Sequence, residues 1–377
     1  MRNEQRLEAP HFGPHSGPTL IEHATHTMAV CNACRYCEQY CAVFPAIEQR
    51  LAFGKGDLTY LANLCHNCGE CLYACQYAPP HEFGINVPRT LAQLRRHSYQ
   101  ELAWPRPFAR VYHCYPVMLS LLLVAAFTVI LFAAAPVVNP FDLRGERRDA
   151  NFYAVVPHGT LVTVFGGVAL FVTFALAISV MRLWREMHSG ASLPVRHGIH
   201  RGIADVLSLR NLHSGGADCT IAQETRTPWR RWCHHATFYG FLLCFASTSV
   251  AAAYHTVFGW LAPYGYFSAP VVLGTAGGIG LTIGPIGLWW LRLRRDRDLS
   301  DPDQDGLDAG FIVLLVLTSI TGLILLASRQ TTAMAGLLIV HLAIVLALFV
   351  TLPYGKFVHG LFRTAALLKF AREEDRS

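Results

Sequence analysis

Residues 31–41 read C-N-A-C-R-Y-C-E-Q-Y-C, and residues 65–75 repeat the pattern as C-H-N-C-G-E-C-L-Y-A-C. Both follow C-x2-C-x2-C-x3-C, the spacing that wraps a cubane [4Fe–4S] cluster. Three closely spaced thiolates reach three corners from one loop, and the fourth arrives one helical turn later. In two-cluster domains the fourth cysteine serves the other cluster. That rule predicts one set of Cys31, Cys34, Cys37 and Cys75, and a second of Cys65, Cys68, Cys71 and Cys41. The exchange ties both halves into one small domain. A zinc site takes four ligands, commonly as two separated pairs, and disulfides need an oxidising compartment. Neither accounts for a doubled run of four.

The segment between the runs, 42–64, is long, with Asp57 the expected N-cap of an apolar helix ending at Leu64. Proline does not directly follow either fourth cysteine; Pro45 and Pro79 come four residues on. Helices rather than hairpins are therefore expected between the cluster loops. Cys114, Cys219, Cys233 and Cys244 have no ligand spacing and read as ordinary residues.

Outward from the cysteines the composition changes. The 377 residues are 53% hydrophobic and 15% charged, where a soluble domain has about 25% charged. Residues 1–114 are polar and cysteine-rich, and the remainder alternates apolar runs with basic loops. Six runs are long enough to cross a bilayer as helices, which takes about 20 apolar residues. They are 115–138, 158–181, 236–257, 267–291, 309–327 and 333–353, and none contains Asp, Glu, Lys or Arg.

Lys and Arg alternate along the connections. There are three in 139–157, offset by Asp142, Glu146 and Asp149, then eight in 182–234 and none in 258–266. Four follow in 292–308, one in 328–332 and five in the C-terminal tail. The positive-inside rule then puts both termini, with the cysteine domain, and the loops 182–234 and 292–308 on the cytoplasmic side. The first thirty residues carry Pro10, Pro14, Pro18 and Glu22 and no apolar signal run, which leads to the same side. The net charge of +6 lies in loops at membrane ends, a pattern for orientation in a bilayer and not for nucleic acid. The fourth run is glycine-rich, and small pairs such as Gly274/Gly278 and Gly280/Gly284 fit close helix packing better than a broken transport helix.

Histidines in or at the ends of spans are costly unless they have a task. His341 lies inside the sixth run and His359 follows 18 residues later; on one continuous helix they share a face about 27 Å apart. His235, or its neighbour His234, marks the cytoplasmic end of the third run, and His255 marks the other end. Bis-histidine ligation of one or two b-type haems follows as an expectation, pairing His235 with His359 and His255 with His341. His158 competes with His255 for the outer pair. On an ideal helix His235 and His255 are about 200° apart, whereas His234 and His255 are about 60° apart.

The stretch from Cys31 to Arg89, with C-R-Y-C-E-Q-Y-C and L-C-H-N-C-G-E-C-L-Y-A-C-Q-Y-A-P-P-H-E-F, resembles the citrate/tricarballylate-utilisation protein B family. The segment W-C-H-H-A-T-F-Y-G-F-L-L-C-F-A-S-T-S-V at 232–250 is similar to the third span of that family. The membrane half is similar in plan to the haem-bearing gamma subunit of nitrate reductase and to heterodisulfide-reductase membrane subunits. That likeness implies His235, His341 and His359 as haem ligands and leaves the fourth open. The resemblance also implies a role: reoxidising a separate FAD-dependent tricarballylate dehydrogenase and passing electrons to the membrane quinone pool.

An all-α fold is expected, a small helical two-cluster ferredoxin-like domain followed by a six-helix membrane bundle. The parts are 1–30 (tail and helix), 31–114 (clusters), 115–363 (spans) and 364–377 (cytoplasmic tail). No nucleotide fingerprint lies between a strand and a helix, so the flavin is expected on a partner. A membrane-tethered iron–sulfur redox sensor is the rival reading. A tricarboxylate transporter would need basic groups at midplane, and the spans have none.

Overall fold

The computed structural model describes residues 17–138, 152–188, 198–210, 212, 219–220 and 226–374. Pro10, Pro14, Asp142, Glu146 and Asp149 lie outside the described residues, as does the side chain of Cys219. Among the described residues the chain is almost entirely helical. The single strand pairing is two residues long, Cys219–Thr220 against Arg226–Thr227.

The cysteine-bearing part contains α1 (Gly17–Cys34), α2 (Val43–Glu48), α3 (Lys55–Leu64), α4 (Glu70–Tyr73), α5 (Val87–Leu102) and α6 (Arg106–Cys114). Helices do separate the cysteine loops. The capping of α3 differs from expectation. Gly54 is the N-cap, and Asp57, third in the helix, accepts from the Gly54 N–H at 3.2 Å. Asp57 thus closes a capping box from inside the helix. At α5 the Asn86 side chain accepts from the Arg89 N–H (3.1 Å), and Pro88 sits in the first turn, where its missing N–H costs nothing.

The apolar helices are α7 (Pro116–Val138), α9 (His158–Met187), α11 (Trp229–Thr256), α12 (Ala269–Leu293), α13 (Asp305–Ala327) and α14 (Met334–Thr351), with α8 (Phe152–Val155) and α10 (Ile199–Leu207) in the connections. Six are long and apolar enough to cross a membrane, which makes this a multi-pass membrane protein. α12 runs unbroken through Pro285. Its glycines form a seam against α11: a Cβ on Gly280 would lie 2.9 Å from the Ala236 carbonyl, and one on Gly277 2.8 Å from the Cys244 nitrogen. Close packing explains this glycine run.

After Thr351 the chain turns through Pro353 and Gly355 and resumes as α15 (Val358–Glu374). Pro353 has no N–H for the Phe349 carbonyl, and Tyr354 and Gly355 both donate to the Thr351 carbonyl, so α14 ends here, whereas α12 carries Pro285 without a break. His341 and His359 therefore stand on two helices, and the shared-face argument from one continuous phase does not apply.

The stretch set aside in sequence as a tail is helical through Glu374. Phe362, Ala366 and Phe370 of α15 enter one core with Met28, Phe44, Ile47 and Leu61, joined by Leu183 and Met187 from the end of α9. Each large side chain buried there contributes roughly 1.5–3 kcal/mol. Polar ties reinforce the contact. Glu373 takes Arg50 at 2.7 Å and the Tyr60 hydroxyl at 2.9 Å, and Lys369 donates to the Met187 carbonyl at 2.6 Å.

Candidate functional site

The eight cysteines of the two runs gather into two neighbouring pockets. Cys31, Cys34, Cys37, Cys71 and Cys75 line a cavity of about 210 Å³. Cys41, Cys65, Cys68 and Cys71 line a tighter one of about 10 Å³. α1 supplies Cys31 and Cys34 from its last turn, and Arg35 then adopts φ 55°, reversing the chain toward Cys37. Asn67 (φ 54°) and Gly69 (φ 94°) do the same around Cys68. At Gly69 any Cβ would also meet Leu299 at 2.8 Å. Backbone of this kind is uncommon for residues other than glycine, and here it aims successive thiols into one space.

The donor chemistry suits a metal cluster. Burial first, then Cys75 and the other thiols of the set, pushes Cys31 and Cys37 up to about 12. Burial, followed by Cys68, raises Cys41 and Cys71. Thiols packed like this resist ionising side by side, whereas coordination to metal deprotonates them outright. The Asn67 N–H also donates to Cys65 Sγ at 3.3 Å, the kind of contact that stabilises a ligating sulfur.

Four arginines close on the backbone of the second run. Arg95 donates to the Cys65 carbonyl at 2.9 Å and Arg363 to the same oxygen at 2.6 Å. Arg230 donates to the carbonyls of His66 and Asn67, both at 2.9 Å, and Arg295 also reaches Asn67 O. Burial first, then the charges of Arg363, Arg230 and Arg95, holds His66 well below its ordinary value.

Two histidines each stand one turn from one of these arginines, His234 from Arg230 on α11 and His359 from Arg363 on α15. The ring centres of His234 and His359 are 6.1 Å apart at 78°. Two imidazoles bound on opposite sides of one metal at about 2 Å have centres on the order of 6 Å apart, so the spacing fits a shared iron. His359 Nδ1 is engaged with the Lys356 carbonyl, which leaves Nε2 as the donor atom. Burial, then Lys356 and Arg363, keeps His359 well below its ordinary value; it is neutral, as ligation requires.

The structure places the remaining histidines differently from the expected pairs. His235 turns away from His359 and stacks on Tyr239, one turn along its own helix, at 5.8 Å. The adjacent residue, 100° round the helix, takes the inward position. His158 and His255, the two alternatives for the outer position, stack face to face at 3.7 Å and 29°, beside Tyr153. His341 is not brought to His255: it packs on α13, with Nδ1 2.9 Å from Thr321 Oγ1 and its ring against Gly322. The arginines on the second run, and the part of α15 in holding one of them, have no counterpart in the sequence expectations.

Comparison with known proteins agrees with this organisation. Residues 24–101 match the family described as "Citrate utilization protein B Fer4-like domain", and residues 115–377 match "Citrate utilization protein B". Over 350 residues, 93% of this chain and 91% of the relative, it is 50% identical to "Citrate utilization protein B" of Escherichia coli. No solved structure matches it. A Fer4-like segment holding both cysteine runs, joined to six membrane-length helices, makes this an iron–sulfur electron-transfer protein of the membrane. The chain belongs to the citrate utilization protein B family.

Proposed function

We propose that the chain accepts electrons at its cysteine domain (31–114) from a separate FAD-dependent dehydrogenase acting on tricarballylate or a related tricarboxylate. It delivers them through the membrane domain (115–363) to the quinone pool. In this reading Cys31, Cys34, Cys37 and Cys75 hold one [4Fe–4S] cluster, Cys41, Cys65, Cys68 and Cys71 hold the other, and His234 and His359 hold a b-type haem. Such groups, when bound, supply one-electron carriage that no amino-acid side chain offers. The basic loops orient the cysteine domain to the cytoplasm of a bacterial inner membrane.

The observation that carries the reading is the matched register of two helices. α11 presents His234 and, one turn toward the cysteine domain, Arg230; α15 presents His359 and, one turn on, Arg363. Each histidine faces the other, and each arginine grips a backbone carbonyl of the 65–67 loop. The thiol pocket and the imidazole pair are thus held at a fixed separation by two rigid turns. The chain's own work is to orient these donors, shield them from water and keep His359 neutral.

Detergent-purified protein is expected to contain about eight irons in clusters and to show dithionite-reducible b-type bands. Mixing with a reduced flavoprotein is expected to bleach the visible spectrum, and quinone to restore it. Zinc in place of iron, or haem bands that survive loss of both His234 and His359, defeats the reading.

A further inference from the structure

Arg95, Arg230, Arg295 and Arg363 come from α5, α11, the turn after α12, and α15, yet all end on residues 62–67. Arg95 is only 4% exposed, and the other three are half-buried. Among the described residues neither Arg95 nor Arg363 has a carboxylate partner; both are satisfied by carbonyls of residues 62–65. Gathering cations on a sheltered loop carries a desolvation cost that a nearby anion must offset. The first run differs: Arg35 is exposed and donates to the Asn32 carbonyl, and Glu38 beside it is exposed too.

We propose that Arg95, Arg230, Arg295 and Arg363 are positioning residues that balance the negative charge of the metal centre held by Cys41, Cys65, Cys68 and Cys71. They thereby set its reduction potential above that of the centre held by Cys31, Cys34, Cys37 and Cys75. This rests on the ligand sets proposed above. A cluster ligated by four thiolates is anionic, and reduction by one electron adds one further negative charge, which the arginines stabilise. The higher potential lies on the side nearer His234 and His359, so electrons arriving at the first centre run downhill toward the membrane.

The test is a potentiometric titration of the full-length holoprotein followed by paramagnetic resonance, with signals assigned through Cys31→Ser. Removing one unit charge on the order of 10 Å away, through an effective dielectric of about 20, shifts a one-electron equilibrium about tenfold, or 59 mV. Arg363→Gln is expected to lower the potential of the second centre by about that amount, leaving the first within a third of it. Arg363→Lys, which keeps the charge, is expected to restore most of the shift. Should Arg363→Gln fail to assemble, Arg230→Gln and Arg230→Lys give the same comparison. An unmoved second centre in the Gln variants overturns the proposal, as does a Lys variant shifted as far as its Gln counterpart. Wild-type protein lacking two iron signals instead overturns the ligand sets beneath it.

Discussion

Replacing Gly284 by alanine is expected to push α11 off α12 and to remove the haem proposed at His234 and His359 without removing the clusters. A Cβ built on Gly284 lies 2.5 Å from Thr237 Oγ1, 2.6 Å from Thr237 N and 2.7 Å from the Cys233 carbonyl. Two of these three atoms are backbone, so a rotamer change cannot relieve the contact. Ordinary contact begins near 3.4 Å, and α11 must therefore retreat by about 0.7–0.9 Å at this level. Overpacking of this kind costs typically 1–3 kcal/mol. Cys233 and Thr237 bracket His234, and donor groups must be held to about 0.5 Å to keep a bound group. The haem-to-iron ratio of purified protein should therefore fall several-fold, and the melting temperature in detergent should drop. Gly166→Ala on α9, where nothing lies within 4 Å of the added carbon, should leave both unchanged. A Gly284→Ala protein with wild-type haem content and melting, or equal damage from Gly166→Ala, refutes the argument.

Three further outcomes follow from the site. Cys75→Ser is expected to abolish the iron signal of the first run while sparing the second, and Cys41→Ser to do the reverse; iron analysis with paramagnetic resonance separates this exchange from a local pairing within each run. His234→Ala and His359→Ala are expected to remove the same b-type bands, and His235→Ala to retain them, read from reduced-minus-oxidised spectra; loss on His235→Ala alone would reverse the assignment. Burial, with Arg96 nearby, lowers His113 to about 4 from 6.5, and its Nε2 lies 3.2 Å from the Tyr354 carbonyl. The unfolded chain therefore binds a proton that the folded one refuses. His113 costs no stability above about pH 6.5, and as pH falls toward 4 up to about 3 kcal/mol is lost, at 1.36 per unit. His113→Gln should flatten the acid side of the melting profile between those values, and parallel profiles would show that His113 does not govern it.

How much of this was legible in the sequence depended on whether the spacing of residues itself carries the geometry. In the cysteine runs it does: two residues between thiols and three before the last is a loop followed by a helical turn, and the structure gathers those residues into two pockets. Apolar length likewise marks a span, because a backbone in lipid has few options. The inward histidine was harder to see. His234 and His235 have the same side chain one position apart, and only the partner helix decides which 100° sector faces in. The phase argument linking His341 to His359 failed because the chain leaves the helix over 352–357; Pro353 alone was no decisive signal, since α12 runs through Pro285.

The arginines on the 62–67 loop mark a more general limit. An arginine paired with an acid leaves two traces in a sequence, one of each sign, as with Arg50, Asp57 and Glu373. An arginine that ends on a main-chain carbonyl leaves one, because every residue has that acceptor. Arg230 and Arg363 read in sequence as two of many membrane-end cations, indistinguishable from Arg231 or Arg372. Their placement depends on α15 turning back into the cysteine domain, where Phe362 and Ala366 are completely buried. That core fixes the phase of the helix, and the phase sends His359 toward His234 and Arg363, one turn later, toward Cys65. Apolar packing at the far C-terminal end therefore sets the distance between the thiol pocket and the imidazole pair.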